Sequence, residues 1–299
     1  MKIAITGGTG FIGKHLINYL SNQKHTLYIL TRNPSAYIDS EYIKYVGWLE
    51  DNYDPVTQIN ELDAIINLAG KSINNRWTNE TKKQIQQSRI QATKAVVQLV
   101  QTLHPHTLIN ASAIGYYGNS LDTIFTEEDQ AGKGFLADTT NAWEAEASIA
   151  NQYDTRVVYA RFGIILDKDE GALPRIALPY QFFAGGKLGS GRQWMSWIHI
   201  KDVIKMIDFS LHNQAITGPL NITAPNPLRM ERFGKNLANV LHRPYWLPAP
   251  SFALSALLGE MSELVLEGQH VLPQKALQHG YSFEFETLPS ALSDIYQTN

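Results

Sequence analysis

The first half of the chain alternates short apolar runs with longer segments whose apolar positions recur every three or four residues. Residues 2–6, 26–30, 44–48, 64–68, 107–111 and 156–159 are nearly continuous apolar runs of strand length. Runs of that kind suit strands buried on both faces of a parallel sheet. Residues 11–21 place Phe11, Leu16, Ile17 and Leu20 at helical spacing. A longer helix around residues 78–103 carries Ile85, Ala92, Val96, Leu99 and Leu103 on one stripe, and Arg89 fills the remaining position of that stripe. Strands alternating with helices predict an α/β fold, a Rossmann-type doubly wound parallel sheet.

Beyond Arg161 the pattern changes. Glycines cluster at Gly185, Gly186, Gly189 and Gly191, and prolines punctuate residues 219–250. Helical patterns return at 252–266 and 288–296. The expected organisation is a nucleotide-binding domain over 1–165 and a smaller C-terminal substrate lobe over 166–299. The helical segment 200–211 returns to the first unit, so that about 197–220 rejoin it.

A formal charge of −3 leaves no basic footprint for nucleic acid. No apolar stretch approaches the roughly 20 residues of a membrane span. The absence of cysteine excludes disulfides and thiolate chemistry. A cytoplasmic globular protein without a membrane partner is expected, and the oligomeric state is open. No H-x-x-x-H spacing occurs with supporting carboxylates, so no metal site is expected.

Candidate chemistry begins at ITGGTGFIG, where Gly7, Thr9, Gly10, Phe11, Ile12 and Gly13 join the first strand to the first helix. In G-x-x-G-x-x-G, Gly7 permits the turn, Gly10 lets a pyrophosphate approach the backbone and Gly13 lets the helix pack closely. The helix N-terminus offers free N–H groups to the phosphates. The second strand ends at Thr31 and Arg32, where an NAD site usually carries a carboxylate for the ribose 2′-hydroxyl. A guanidinium there suits a 2′-phosphate, which favours NADP(H) over NAD(H). Leu68, Ala69 and Gly70 let a cofactor pass close to the fourth strand end. Arg89, with Gln84 and Ser88 beside it, reaches a cofactor phosphate or ribose, or else pairs with a neighbouring carboxylate or extends its stem to water.

The run NASAIGYYGNS closes the fifth strand. Strand alternation continued through it puts Ser112 and Tyr116 on one face and Tyr117 on the other. Asp138, Glu144 and His199 are titratable groups near the expected cleft. The simpler reading has Glu144 facing solvent or capping a neighbour, His199 hydrogen-bonded, and Trp143 and Trp197 packing.

The glycine loop, INLAG, the Tyr-Gly strand end, RFGIIL and SWIHIKDV together resemble the extended short-chain dehydrogenase/reductases. Within them the chain is similar to a nucleoside-diphosphate-sugar epimerase-like branch, also described as cell-division-inhibitor-like, whose C-terminal module resembles residues 250–299. The resemblance implies a cofactor lying across the strand ends at the topological switch point, with Ile164 beside it. It also implies a Ser or Thr, a Tyr and a Lys as proton relay, and none of the 14 tyrosines has a lysine four residues on. The usual Ser/Thr position falls on Ala113, one step from Ser112. An Arg-Asp pair that grips a diphosphate in that family falls on Met195 and Ser196, leaving Arg192, Gln193 and Trp197 as substrate-binding candidates. The expected function is therefore an NADP(H)-binding epimerase or oxidoreductase acting on an unidentified small molecule through a non-standard relay, with Ser112 and Tyr116 as the candidates. The alternative is a catalytically degenerate NADP(H)-sensing regulator or scaffold, with a link to cell division.

Overall fold

A computed structural model describes residues 1–297; the last two positions of the expected lobe, 298 and 299, lie outside the described residues. The elements run β1 (Lys2–Thr6), α1 (Phe11–Asn22), β2 (Thr26–Thr31), β3 (Ile43–Gly47), β4 (Ala64–Asn67), α2 (Asn79–Leu103), β5 (Thr107–Ala113), β6 (Ile124–Phe125), α3 (Phe135–Ser148) and β7 (Arg156–Phe162). They continue through β8 (Ile164–Leu166), α4 (Leu173–Gln181), β9 (Trp194–Met195), β10 (Trp197–His199), α5 (Ile200–His212), β11 (Gly218–Ile222), β12 (Leu228–Arg229) and α6 (Met230–Leu241). The last part holds α7 (Ser251–Leu258), α8 (Glu263–Leu266), β13 (His270–Val271), α9 (Gln274–Gln278) and α10 (Leu288–Gln297).

Seven strands form one parallel sheet in the order β11-β7-β5-β4-β1-β2-β3. The chain winds outward from β1 through β2 and β3, then crosses back to β4 on the other side of β1. The β1–β4 boundary is therefore the switch point, where diverging connections leave a crevice above the strand ends. Two apolar layers cover the sheet. On one face Ile3, Ile5, Leu27 and Ile29 meet α1 through Leu16 and Leu20, and α5 through Val203, Ile204, Met206 and Ile207. On the other face Ala4, Ile65 and Leu108 meet α2 through Ala92, Val96 and Val100, and α3 through Ala147. A third cluster, built on Trp197, Phe233, Leu237 and Leu292, is the core of the C-terminal lobe.

Three departures from the sequence pattern have local causes. The seventh strand, β11, is obscured by Gly218 and Pro219, and it lies at the sheet edge where a missing N–H costs no ladder bond. The helix expected over 252–266 is broken after α7 by Gly259, at φ 60°, before α8 resumes. Helix α6 lies between Pro227 and Pro244, with Phe233 and Leu237 buried on its inner face. No helix among the described residues is long and apolar enough to cross a membrane.

Candidate functional site at the strand ends

The glycine loop has the form its residues suggest. Gly7 adopts φ +66°, and a Cβ there would lie 2.7 Å from the Leu68 carbonyl. A Cβ on Gly13 would lie 2.4 Å from the Gly7 oxygen, so only glycine lets α1 start this close to the turn. Gly10 differs, because its virtual Cβ meets only the Gly7 oxygen, at 3.2 Å. Gly10 is exposed and caps α1 with no side-chain acceptor, so the first-turn N–H groups face outward. Thr9 is exposed, while Phe11 and Ile12 are half-buried.

The neighbouring strand ends are braced from beneath. Thr6, Asn67 and Asn110 sit side by side on β1, β4 and β5. Thr6 Oγ1 donates to Asn67 Oδ1 at 2.6 Å and accepts from the N–H groups of Leu68 and Ala69 at 3.1 and 3.2 Å. Asn67 Nδ2 donates to Asn110 Oδ1 at 2.7 Å and to Thr93 Oγ1 at 3.0 Å. These bonds fix the Leu68–Gly70 backbone that faces the glycine loop.

Above this row lies a cavity of about 220 Å³. Ile12 of α1, Leu68 after β4, Ile85 and Arg89 of α2, Ala111, Ser112 and Ala113 of β5, Leu136, Thr139, Thr140 and Trp143 of α3, and Phe162 of β7 line it with Ile73. Arg89 thus does border a cavity. One of its terminal nitrogens, Nη1, donates to the carbonyls of Lys71 and Ile85, both at 2.9 Å, and its guanidinium lies 5.0 Å from the Trp143 ring centre. Among the described residues no carboxylate pairs with it. Burial alone pulls its pKa down to about 10. Gly70 is small for a protein reason, because a Cβ there would come within 3.2 Å of the Arg89 side chain. Ser88 accepts from Lys71 N at 3.0 Å, and Gln84 bonds to Lys71 Nζ and Glu80 rather than to Arg89.

Ser112 is buried, and its hydroxyl donates to Glu144 Oε1 at 2.6 Å. Glu144 forms a forked ion pair with Arg161, with Nε–Oε1 and Nη2–Oε2 both at 2.8 Å. Arg161 also donates to the Tyr117 hydroxyl at 2.8 Å, which donates to Asn221 Oδ1 at 2.7 Å. Ser112, Arg161 and Asn221 are register partners on β5, β7 and β11, so the network crosses the sheet as one row. Burial opposes the charge on Arg161, but its bonds to Glu144 and Tyr117 outweigh that and hold its pKa above the ordinary value. Burial pushes the Tyr117 phenol up, away from any role as a neutral-pH base.

Two expectations are corrected here. Glu144 does not face solvent: it is 7% exposed and bound on both oxygens. Tyr116 and Tyr117 do not alternate across a strand, because β5 stops at Ala113 and residues Ile114–Tyr117 form a 3₁₀ turn. That turn brings both rings to Arg161, with Tyr116 at 3.5 Å and Tyr117 at 5.0 Å from its guanidinium carbon. Tyr116 is therefore stacked on the cation, and it is not among the cavity-lining residues.

Sequence reasoning overlooked Arg161, Thr139 and the buried state of Glu144. Ala137, Thr140, Glu144 and Ala147 are all buried on α3 at steps of three and four, so the stripe argument applied to Arg89 also flags Glu144. Thr139 and Trp143, four residues apart on α3, both line the cavity, and Thr139 Oγ1 is buried without a partner among the described residues.

The remaining candidates lie elsewhere. Arg32 is exposed at the end of β2, and Thr31 accepts from Asn33 N at 3.3 Å. Ile164 pairs in register with Trp197 and packs against the lobe core. Trp197 is fully buried and donates to Asn226 O at 3.1 Å. Gln193 is buried and donates to the carbonyls of Leu188 and Val265. Both side chains are committed to the lobe, while Arg192 is exposed. Met195 is buried, and Ser196 bonds to Gln269 O and Val271 N, so neither replaces a diphosphate clamp. His199 caps α5 by accepting from Lys201 N at 3.1 Å, and Asp138 is exposed.

Comparison with known proteins agrees with this geometry. Residues 3–222 match the NAD dependent epimerase/dehydratase family, and residues 249–295 match a domain of unknown function (DUF1731). The chain is 48% identical over 298 residues to an epimerase family protein of Bacillus subtilis, YfhF, covering 99% of this chain and 98% of that one. It is 45% identical over 297 residues to an epimerase family protein of Staphylococcus haemolyticus, covering 98% of each. Among solved structures, human epimerase family protein SDR39U1 with NADPH superposes over 100% of both chains at a TM-score of 0.89 and 29% identity. UDP-glucuronic acid 4-epimerase from Bacillus cereus, with UDP-glucuronic acid and NAD, shares the fold at a TM-score of 0.78 and 16% identity.

Proposed function

This chain belongs to the NAD-dependent epimerase/dehydratase family, and from that premise we propose that it is an NADP(H)-dependent oxidoreductase or epimerase acting on a small alcohol or carbonyl compound. The observation that carries the reading is one cavity bordered by both Ile12, in the uncapped first turn of α1, and Ser112, on the end of β5. A dinucleotide with its phosphates on the first turn of α1 would extend along this cavity toward Ser112. The residues fit the group: Gly10 is open on its ligand side, Arg89 is a cation without a carboxylate, and Arg32 stands exposed beside the expected ribose. The human relative solved with NADPH supports the choice of NADP(H).

The nicotinamide supplies or accepts a hydride when bound. The chain supplies the proton path. Ser112 already donates its hydrogen to Glu144, so toward the cavity it presents a lone pair that accepts from a substrate hydroxyl. As the substrate O–H proton passes to Ser112 Oγ, the serine proton passes to Glu144 Oε1. Arg161 holds that carboxylate in place through its fork. Thr139 Oγ1, free and buried in the same wall, donates to the oxygen that becomes a carbonyl. Tyr116, stacked on Arg161, steadies the network from outside.

A second reading is an NADP(H)-sensing regulator. It is favoured by a cavity in which Arg89 is, among the described residues, the only ionisable lining residue. One experiment separates the two: titrate the protein with NADPH and NADH, then screen carbonyl compounds and sugar nucleotides for NADPH oxidation or epimerisation. Turnover lost in Ser112→Ala and kept in Tyr116→Phe supports the relay. Turnover that survives Ser112→Ala removes it, and NADPH binding without turnover on any compound supports the sensor.

A further inference from the structure

At the opposite end of the sheet, where β2 begins, three ligand-type side chains meet. We propose that His25, Asp208 and His212 form a binding site for a borderline divalent cation of the zinc(II) class. His25 lies in the turn between α1 and β2, and Asp208 and His212 are one turn apart near the end of α5. A potential ligand atom of each lies within 4.8 Å of the other two. Tetrahedral coordination at about 2.1 Å per bond asks for roughly 3.5 Å between ligand atoms, so the side chains close by about 1 Å on binding. His212 is exposed and free to make that movement.

The hydrogen bonds around the three residues leave one Asp208 oxygen without a partner and put only the terminal amine on His25 Nδ1. Asp208 Oδ1 is buried and has no hydrogen-bond partner among the described residues. A carboxylate oxygen in that condition is costly unless a cation or donor reaches it. His212 Nδ1 lies 3.3 Å from this oxygen but 3.0 Å from the Asp208 carbonyl, and its proton goes to the carbonyl. That leaves His212 Nε2 with a lone pair. The other carboxylate oxygen, Asp208 Oδ2, accepts from the Tyr19 hydroxyl at 3.2 Å. His25 Nε2 lies 3.2 Å from Gln23 Oε1, an acceptor, so it carries the imidazole proton, and Nδ1 keeps the lone pair that the Met1 amino group approaches. Tyr19, Gln23 and the α5 carbonyl thus orient the three ligands, as outer partners do around bound metals.

Two imidazoles and one carboxylate favour zinc, cobalt or nickel over magnesium and calcium, which take mostly oxygen ligands. The Met1 amino group, 3.1 Å from His25 Nδ1, must give way or join the coordination. A cation here ties α5 to the α1–β2 turn, on the sheet end remote from the cavity, so the site stands or falls independently of the catalytic reading.

The test uses tag-free, full-length protein stripped with a chelator, with Zn²⁺ followed by calorimetry and Co²⁺ followed by visible absorption. The expected result is one Zn²⁺ per chain, tetrahedral Co²⁺ bands and a higher melting temperature with Zn²⁺ than with chelator. His212→Gln, at an exposed position, and the isosteric Asp208→Asn each weaken binding by about tenfold or more and abolish the bands. His15→Gln, at the separate contact with Asp167, leaves binding unchanged. Absence of saturable binding at millimolar cation, or binding that survives both ligand substitutions, overturns the assignment.

Discussion

The Glu144–Arg161 pair shows how much depends on a few atoms at the strand ends. Its side chains are 9% and 3% exposed, so neither charge is offset by water. Removing one partner of a buried pair leaves an uncompensated charge and typically costs 3–5 kcal/mol, far more than a surface bridge contributes. Glu144→Gln is therefore expected to lower unfolding stability by about 3–5 kcal/mol, measured by urea denaturation. Arg161→Met should do the same, and the double variant should lose less than the sum. Arg32 makes the opposite case, since it is exposed and forms no ion pair among the described residues. Arg32→Ala should leave stability unchanged and weaken NADPH by about tenfold or more, the worth of a charge-assisted bond, with little effect on NADH. Equal losses for both cofactors in fluorescence titrations would refute its assignment to the 2′-phosphate. Arg32 was legible because its strand end is set by local pattern. Arg161 was not, because its partners lie on β5, α3 and the 3₁₀ turn, and only pairing brings them together.

Between β1 and α1, two glycines in one motif answer to different demands. Replacing a helical glycine with alanine normally gains about 1 kcal/mol of helix propensity. At Gly13 that gain is overwhelmed, because the new Cβ would sit 2.4 Å from the Gly7 oxygen and 2.6 Å from the Gly8 Cα, both backbone atoms. Gly13→Ala is expected to destabilise the protein by about 1–3 kcal/mol net, visible as a lower melting temperature without any ligand. At Gly10 the new Cβ meets one atom at 3.2 Å. Gly10→Ala should therefore melt near wild type and lose NADPH affinity by tenfold or more, since its methyl occupies the space a pyrophosphate needs. A Gly10→Ala protein that binds NADPH normally would remove the phosphate from this turn. The α1 and α2 stripes were readable from spacing, and so was Arg89 as the misfit on one of them. The end of β5 was not: strand alternation carried past Ala113 fails once the chain turns into a 3₁₀ helix, and nothing in NASAIGYYGNS marks that point.

Across the whole molecule, the C-terminal module is joined to the sheet through the start of α5. The Asp202 carboxylate accepts from the Tyr281 hydroxyl and from the N–H groups of Glu284 and Phe285. Lys201 bonds to Asp294 of α10, and buried His199 lies 3.3 Å from the same carboxylate. Burial holds the His199 pKa below its ordinary 6.5, with Asp294 opposing in part. The unfolded chain therefore takes up this proton first as pH falls. The stability tied to neutral His199 is complete above pH 6.5 and is lost as pH drops below it toward the folded-state value. The melting temperature should fall from pH 8 to about pH 5.5, and His199→Asn, which keeps an α5 cap, should flatten that slope. An unchanged slope would place the acid sensitivity elsewhere, with His25 and His270, both also lowered, as the next groups to substitute.

The sequence by itself determined the alternating sheet and helices, the glycine turn, the cationic end of β2 and the family. Those features rest on periodicity and on residues adjacent in the chain, where backbone sterics and local burial act over a few positions. Tertiary structure alone decided that Glu144 is buried, that Ser112 bonds to it, that Gln193 serves the lobe core, and that His25 meets Asp208 and His212. Each of those outcomes depends on strand register or helix docking across tens of residues. The identity of the partner there settles whether a polar group is solvated, paired or left open.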